Sequence, residues 1–279
     1  MTAVSVIIPT FNRARQVGRA ISSVLYQTFT DYEILVVDDG STDETFRALA
    51  PFQSHIKYLS HPRNLGVSAA RNAGIRASGS PLIAFLDSDD YWLPKKLALQ
   101  VRFFARHADA VACQTQELWM RGGLRVNPKR KHLKPSGYIF EPSLELCVVS
   151  PSAVMVRRSL FDEVGVFDEA FPVCEDYDLW LRISCRYPIH LIDHALVVKE
   201  GGLPDQLSRS RVGMDRFRIR AILKLIQSAH LQEEQLEVAL RELSIKCRIY
   251  GSGCLKRGKT EEGEYYLHLP EKVNRAISQ

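Results

Sequence analysis

The sequence predicts an α/β fold: a mostly parallel sheet flanked by helices, followed by a helical C-terminal region. Three observations carry this reading. Apolar runs of strand length alternate with segments of helical periodicity from Val4 to Leu86. Three of these runs end abruptly in polar residues, at Thr10 and Asn12, at Asp38 and Asp39, and at Asp87 and Asp89. From Met214 onward the apolar residues recur at helical spacing, with little strand character.

Val4 to Pro9 reads as the first strand, and Val17, Ala20, Ile21, Val24 and Leu25 then mark one helix face. Glu33 to Val37 is the second strand; Gly40 supplies a turn, and Ser41 with Glu44 makes a capping box for the next helix. Ile56 to Leu59 is a short third strand. Gly66 to Ala77 is a helix of many small residues, which permits close packing. Pro81 to Leu86 is the fourth strand, apolar throughout as expected of a strand buried on both faces. This alternation implies parallel strands joined by right-handed crossovers. Trp92 to Arg106 reads as a helix with Leu97, Val101 and Phe104 on one face, and Ala110 to Gln114 as a strand. Arg121 to Gly137 is basic, holds Gly122, Gly123, Pro128 and Pro135, and has no apolar period, so it reads as a mobile loop. Pro151 to Arg157 alternates like a strand, and Ser159 and Gly165 bound a short helix. Glu175 and Asp176 open an amphipathic helix, where carboxylates suit the dipole. Leu191 to Lys199 is another strand, and Gly201 to Ser210 a glycine-rich loop. Leu243 to Arg275 reads as a helical hairpin turning at Gly251-Ser252-Gly253.

The 279 residues allow one to two domains, and the net charge of +5 is too modest to point to nucleic acid. No apolar run approaches the roughly 18 residues of a membrane span, and Met1-Thr2-Ala3 leads straight into a strand pattern, so neither signal peptide nor anchor is expected. Six scattered cysteines without metal-ligand spacing fit free thiols in a reducing cytoplasm.

In open α/β sheets, ligands bind outside the carboxyl ends of the strands. The acids of Asp87-Ser88-Asp89-Asp90 therefore stand where a ligand would be. Asp87 and Asp89 are spaced to reach one hard cation, Mg²⁺ or Mn²⁺, which would in turn hold phosphates. The same residues also suit a solvated acidic turn ahead of a helix. Glycine-rich dinucleotide and Walker motifs are both absent after the first strand, which leaves a metal as the available phosphate device.

Val4 to Asn12, Val36 to Asp43, Asn64-x-Gly66-x4-Arg71-Asn72-x-Gly74 and Phe85 to Asp90 together resemble glycosyltransferase family 2, and Cys174 to Arg182 extends the likeness. The resemblance implies a GT-A fold, Rossmann-like, and an inverting, metal-assisted transfer of sugar from a nucleotide-sugar to an acceptor hydroxyl. It implies nucleotide contacts from Pro9, Thr10, Phe11, Asn12, Arg13 and Ser88 around the first and fourth strands. Asp39 would meet the base, Arg71 the nucleotide or its phosphates, Asp87 the ribose and metal, and Asp89 the metal. Asp176 would be the general base, with Glu175 supporting it. Many relatives close the nucleotide site with a late histidine, and the Gly201 to Ser210 loop has none. Asp205, Gln206 or Arg209 could serve there, or water could be the third metal contact; with Trp180 the three residues are the candidate acceptor or loop contacts.

The expected organisation is a transferase domain over 1–211, with a nucleotide half to about 108 and an acceptor half after it. A helical region over 212–279 would pack on that domain or pair two copies as a homodimer. UDP is the expected nucleotide, and a lipid-linked or polysaccharide glycan the expected acceptor. The basic segment is either a solvated connector or a flap for an anionic acceptor or membrane surface, which would put the chain at the inner face of the membrane. Two other readings are a non-catalytic nucleotide- or glycan-binding module and a sugar nucleotidyltransferase. Thr10-Phe11-Asn12-Arg13 is not the triphosphate loop that the latter needs.

Overall fold

The computed structural model describes residues 2–127, 132–202, 213–228 and 231–277. The first half comprises β1 (Val4–Thr10), α1 (Val17–Leu25), β2 (Tyr32–Asp38), α2 (Thr45–Ala48), β3 (Lys57–Ser60), α3 (Val67–Ala77) and β4 (Leu82–Phe85). There follow β5 (Tyr91–Trp92), α4 (Lys96–Arg106), β6 (Ala112–Arg121), β7 (Leu124–Val126), α5 (Phe140–Glu145), β8 (Val154–Arg157) and α6 (Leu160–Val164). The chain ends with α7 (Glu175–Ser184), β9 (Ile189–Gly201), α8 (Asp215–Gln227), α9 (Glu233–Lys256) and α10 (Thr260–Ile277).

One sheet runs in the order β3-β2-β1-β4-β8-β6-β9-β5, with β7 beside β6. β3, β2, β1 and β4 are parallel, as the alternating pattern predicts. β8 runs antiparallel to β4, and β6 antiparallel to β8, so the second half departs from a purely parallel sheet. Strand order reverses at β1, which lies between β2 and β4. A crevice opens at such a switch point, off the carboxyl ends of the strands. Buried apolar side chains cover both faces of the sheet, with Val6, Ile8 and Ile34 toward α1 and α4, and Ile7, Ile83 and Phe85 toward α6 and α7.

Several elements differ from the sequence reading. Tyr91 and Trp92 are not helical: they pair with Val198 and Val197 of β9, and the helix begins only after Pro94. The residue before a proline is pushed toward extended conformations, and this holds Leu93 out of the helix. Ser41 does not cap α2. Its hydroxyl accepts the Asn12 amide N–H at 2.9 Å, while Asp43 accepts the Thr45 amide N–H at 2.9 Å. Pro151–Ala153 is a 3-10 turn ahead of β8. The expected loop after Arg121 starts as a β-hairpin, because Gly122 (φ 57°) and Gly123 (φ 79°) supply two consecutive left-handed positions. Lys134, expected in a solvated segment, is buried against Glu117. Pro128 to Lys131 lie outside the described residues.

The helical hairpin turns elsewhere than expected. Gly251 and Gly253 sit inside α9, and the chain reverses around Gly258 (φ 74°). Gly251 instead lets α9 and α10 meet, since a β-carbon there would stand 2.9 Å from the Gly263 carbonyl oxygen. The C-terminal helices share a core with the preceding part of the chain. Phe217, Ile222, Leu243 and Cys247 pack with Phe140, Leu144, Tyr177 and Leu181. Lys224 of α8 also reaches Asp178 of α7 at 2.9 Å. Helices α8 to α10 thus buttress the helix that carries Glu175 and Asp176.

Candidate active site

Loops from the carboxyl ends of β1, β2 and β4 meet at the switch point. The first two are stitched together: the Asn12 side-chain oxygen accepts the amide N–H of Thr42 at 2.8 Å, and the Arg13 amide donates to the Thr45 hydroxyl at 2.9 Å. Asn12 adopts φ 51°, which asparagine tolerates better than most residues. Pro9 and Thr10 are buried at the end of β1, and Phe11 is 39% exposed at the crevice. The Thr10 hydroxyl is buried and has no partner among the described residues.

Asp39 is only 2% exposed, and its carboxylate accepts the amide N–H groups of Leu65 (3.0 Å) and Gly66 (2.8 Å). His61 Nδ1 lies 2.7 Å away. Asp39 therefore builds the 61–66 loop.

The β4 turn presents Asp87 and Asp89 half-open, with Ser88 and Asp90 buried between and behind them. Ser152 fixes the turn, accepting the Asp87 amide N–H at 3.1 Å and donating to Asp90 at 2.6 Å. Burial and then the Asp87 charge push the Asp89 carboxyl above its ordinary value. Burial pushes Asp90 well above its own. Two repelling carboxylates, one of them strained toward protonation, fit a divalent cation. Among the described residues no three His, Cys, Asp or Glu side chains form a ready-made cage. Two carboxylates completed by phosphate oxygens and water form a donor set that suits Mg²⁺ or Mn²⁺.

Arg71 does not point at open solvent as a free phosphate ligand would. Its buried guanidinium donates to Asp87 at 2.8 Å and to Glu175 at 2.7 Å, and rests over the Phe167 ring. Burial disfavours its charge, but Asp87 and Glu175 outweigh that and hold it firmly protonated. The bridge ties the β4 turn to the start of α7. Burial, and then Asp176, push the Glu175 carboxyl up to about 7 against the pull of Arg71.

Asp176 is the one half-open residue between Glu175 and Leu181 of α7; its neighbours there are buried. Cys174 at φ 62° turns the chain sharply into this helix. The Asp176 carboxylate accepts the Tyr177 amide N–H at 2.8 Å and the Cys147 thiol at 3.3 Å. Trp180 was expected to meet an acceptor. It is instead a core residue, 1% exposed and edge-on to Phe167, because the inner face of α7 is turned to the sheet. Asp205, Gln206 and Arg209 lie outside the described residues.

The sequence reading missed a half-buried cation. Lys199 ends the apolar run of β9, and its ammonium donates to Ser150 at 3.2 Å. Burial opposes its charge, but Glu117, Asp90, Asp87 and Asp176 together raise its affinity for the proton. Glu117 in turn is held down to about 2, against burial, by Lys134 and Lys199. The available signal was the same as at Asp87: a charged residue at the end of an apolar strand.

The arrangement can hold an anionic ligand and a cation on one side and offer a carboxylate on the other. An uncharacterized glycosyltransferase of Rickettsia conorii is 33% identical over 219 residues, which is 76% of this chain and 33% of that protein. This chain thus spans only a third of that relative's length. An Escherichia coli protein named UDP-Glc:alpha-D-GlcNAc-diphosphoundecaprenol beta-1,3-glucosyltransferase, WfgD, is 30% identical over 77% of this chain and 81% of its own. The fold is that of S. aureus TarS solved with UDP, at a TM-score of 0.68 and 22% identity over 88% of this chain and 71% of that one. A Pyrobaculum calidifontis mannosyltransferase solved with GDP-Man and Mn²⁺ has a TM-score of 0.63 at 15% identity, covering 100% of this chain and 88% of its own. The profile of Glycosyl transferase family 2 matches residues 5–165, more than half of the sequence, and with these relatives it shows that the chain belongs to glycosyl transferase family 2.

Proposed function

We propose that this chain transfers a sugar from a nucleoside-diphosphate sugar, UDP-linked, to a hydroxyl of a lipid-linked or polysaccharide glycan, inverting the anomeric centre. The observation that carries the reading is the placement of Asp176. It is the open carboxylate on α7, and Arg71 and Glu175 brace its helix against the turn that bears Asp87 and Asp89. Asp176 takes the proton from the acceptor hydroxyl, whose oxygen attacks the anomeric carbon from the face opposite the diphosphate. Asp87 and Asp89 would hold Mg²⁺ or Mn²⁺, which supplies charge neutralisation at the diphosphate. Lys199 adds a fixed positive charge beside these carboxylates. The name of the E. coli relative supports a lipid-diphosphate acceptor and a UDP donor. The UDP complex of TarS supports the same nucleotide. Such an acceptor would bring the chain to the inner face of the membrane.

A thermal-shift panel of nucleoside diphosphates with Mg²⁺ and Mn²⁺ tests the donor side. Ligands that bind only the folded state raise its melting temperature. UDP with either cation should raise it by several degrees, and UDP with chelator should not. Stabilisation by no nucleotide under any cation would reject the reading.

A further inference from the structure

The β6–β7 hairpin projects from the sheet next to the candidate site. Trp119, Met120 and Arg121 pair with Lys199, Glu200 and Gly201 of β9, so only the turn at Gly122-Gly123 and the strand β7 extend past the end of β9, one end of the hairpin lying beside Lys199 of the cluster. Every residue from 121 to 127 is exposed. Cross-strand pairs in an antiparallel ladder share a face. Trp119 opposes Val126 and Arg121 opposes Leu124, which places Trp119, Val126, Leu124 and Arg121 on one side and Arg125 on the other. Leu124 is 74% exposed and Val126 37%. Two arginines and no acidic residue stand between 118 and 127.

We infer that this hairpin is a membrane-contact element whose apolar tip enters the headgroup region of an anionic bilayer. Charge complementarity selects the occupant, because the adjacent acids Glu200 and Glu117 already pair with Arg19 and Lys134, and two exposed arginines at the tip are drawn to a negative surface. The aromatic and aliphatic side chains beside it suit the interface, where an amphipathic ring and a few buried methyl groups are enough for reversible binding. The patch is too small for a stable protein partner. Three apolar side chains fall far short of the ~1,000 Å² that a specific protein interface buries. The inference does not depend on the transfer reaction, and its test needs no turnover.

The test is co-sedimentation of the full chain with vesicles of phosphatidylcholine, with or without phosphatidylglycerol. Wild type should bind the mixed vesicles, weakly or not at all the neutral ones, and less as salt rises. Leu124→Asp should lower binding by ~10-fold or more by removing the inserted side chain. Arg121→Glu with Arg125→Glu should lower it comparably and abolish the salt dependence. All three positions are exposed, and unchanged melting curves would confirm intact folding. The inference is overturned if wild type ignores anionic vesicles, binds neutral ones equally, or is matched by either variant. It is equally overturned if light scattering shows a dimer that Leu124→Asp dissociates without any vesicle binding, since a second copy would then be the occupant.

Discussion

Replacing Asp176 by asparagine should lower sugar transfer by ~10²-fold or more while leaving nucleotide and cation binding near wild type. Asparagine keeps the shape of the side chain, can still accept the Tyr177 amide N–H, and can face the Cys147 thiol. It cannot take a proton from an acceptor hydroxyl. The exchange removes the carboxylate without touching the Arg71–Glu175 bridge. Initial rates with a fixed donor, together with calorimetric titration of the nucleotide, separate the two effects. Full activity in this variant would move the base elsewhere. A non-catalytic binding module would show no acceptor-dependent rate to lose.

Asp89→Ala should abolish turnover and remove most of the gain in nucleotide affinity that Mg²⁺ or Mn²⁺ provides. Asp89 lies half-open beside Asp87, and its carboxyl is already pushed toward protonation by burial and by that neighbour. Deleting it relieves a like-charge contact, so the variant should melt no lower than wild type while losing function, the usual signature of a site held against its own stability. Titration of nucleotide with and without cation reads the result. An unchanged cation dependence would take Asp89 out of the metal site.

The parallel half of the sheet was legible because local signals and tertiary structure agree there. Each of β1, β2 and β4 is an apolar run that stops at polar residues, and the stop is the sheet edge that forms the site. Asp87 and Asp89 could therefore be placed from sequence. Partnerships between distant segments could not. Arg71 and Glu175 are 104 residues apart, and nothing near either one shows that they form a bridge. Tyr91 and Trp92 carry no strand signal of their own; their state is decided by pairing with β9. Gly251 looked like a turn because glycine usually marks one, whereas its role is to let α10 approach. Trp180 stood in a motif that resembled an active site, but its place on α7 sends it to the core.

The central claim is a single displacement at the anomeric carbon, driven by one carboxylate and a nucleoside-diphosphate leaving group. Proton NMR of the product, formed from a UDP-sugar and a lipid-diphosphate GlcNAc acceptor, reads the configuration at the new linkage directly. The expected product has the configuration opposite to that of the donor, with release of nucleoside diphosphate only when acceptor is present. A product that retains the donor configuration would contradict it.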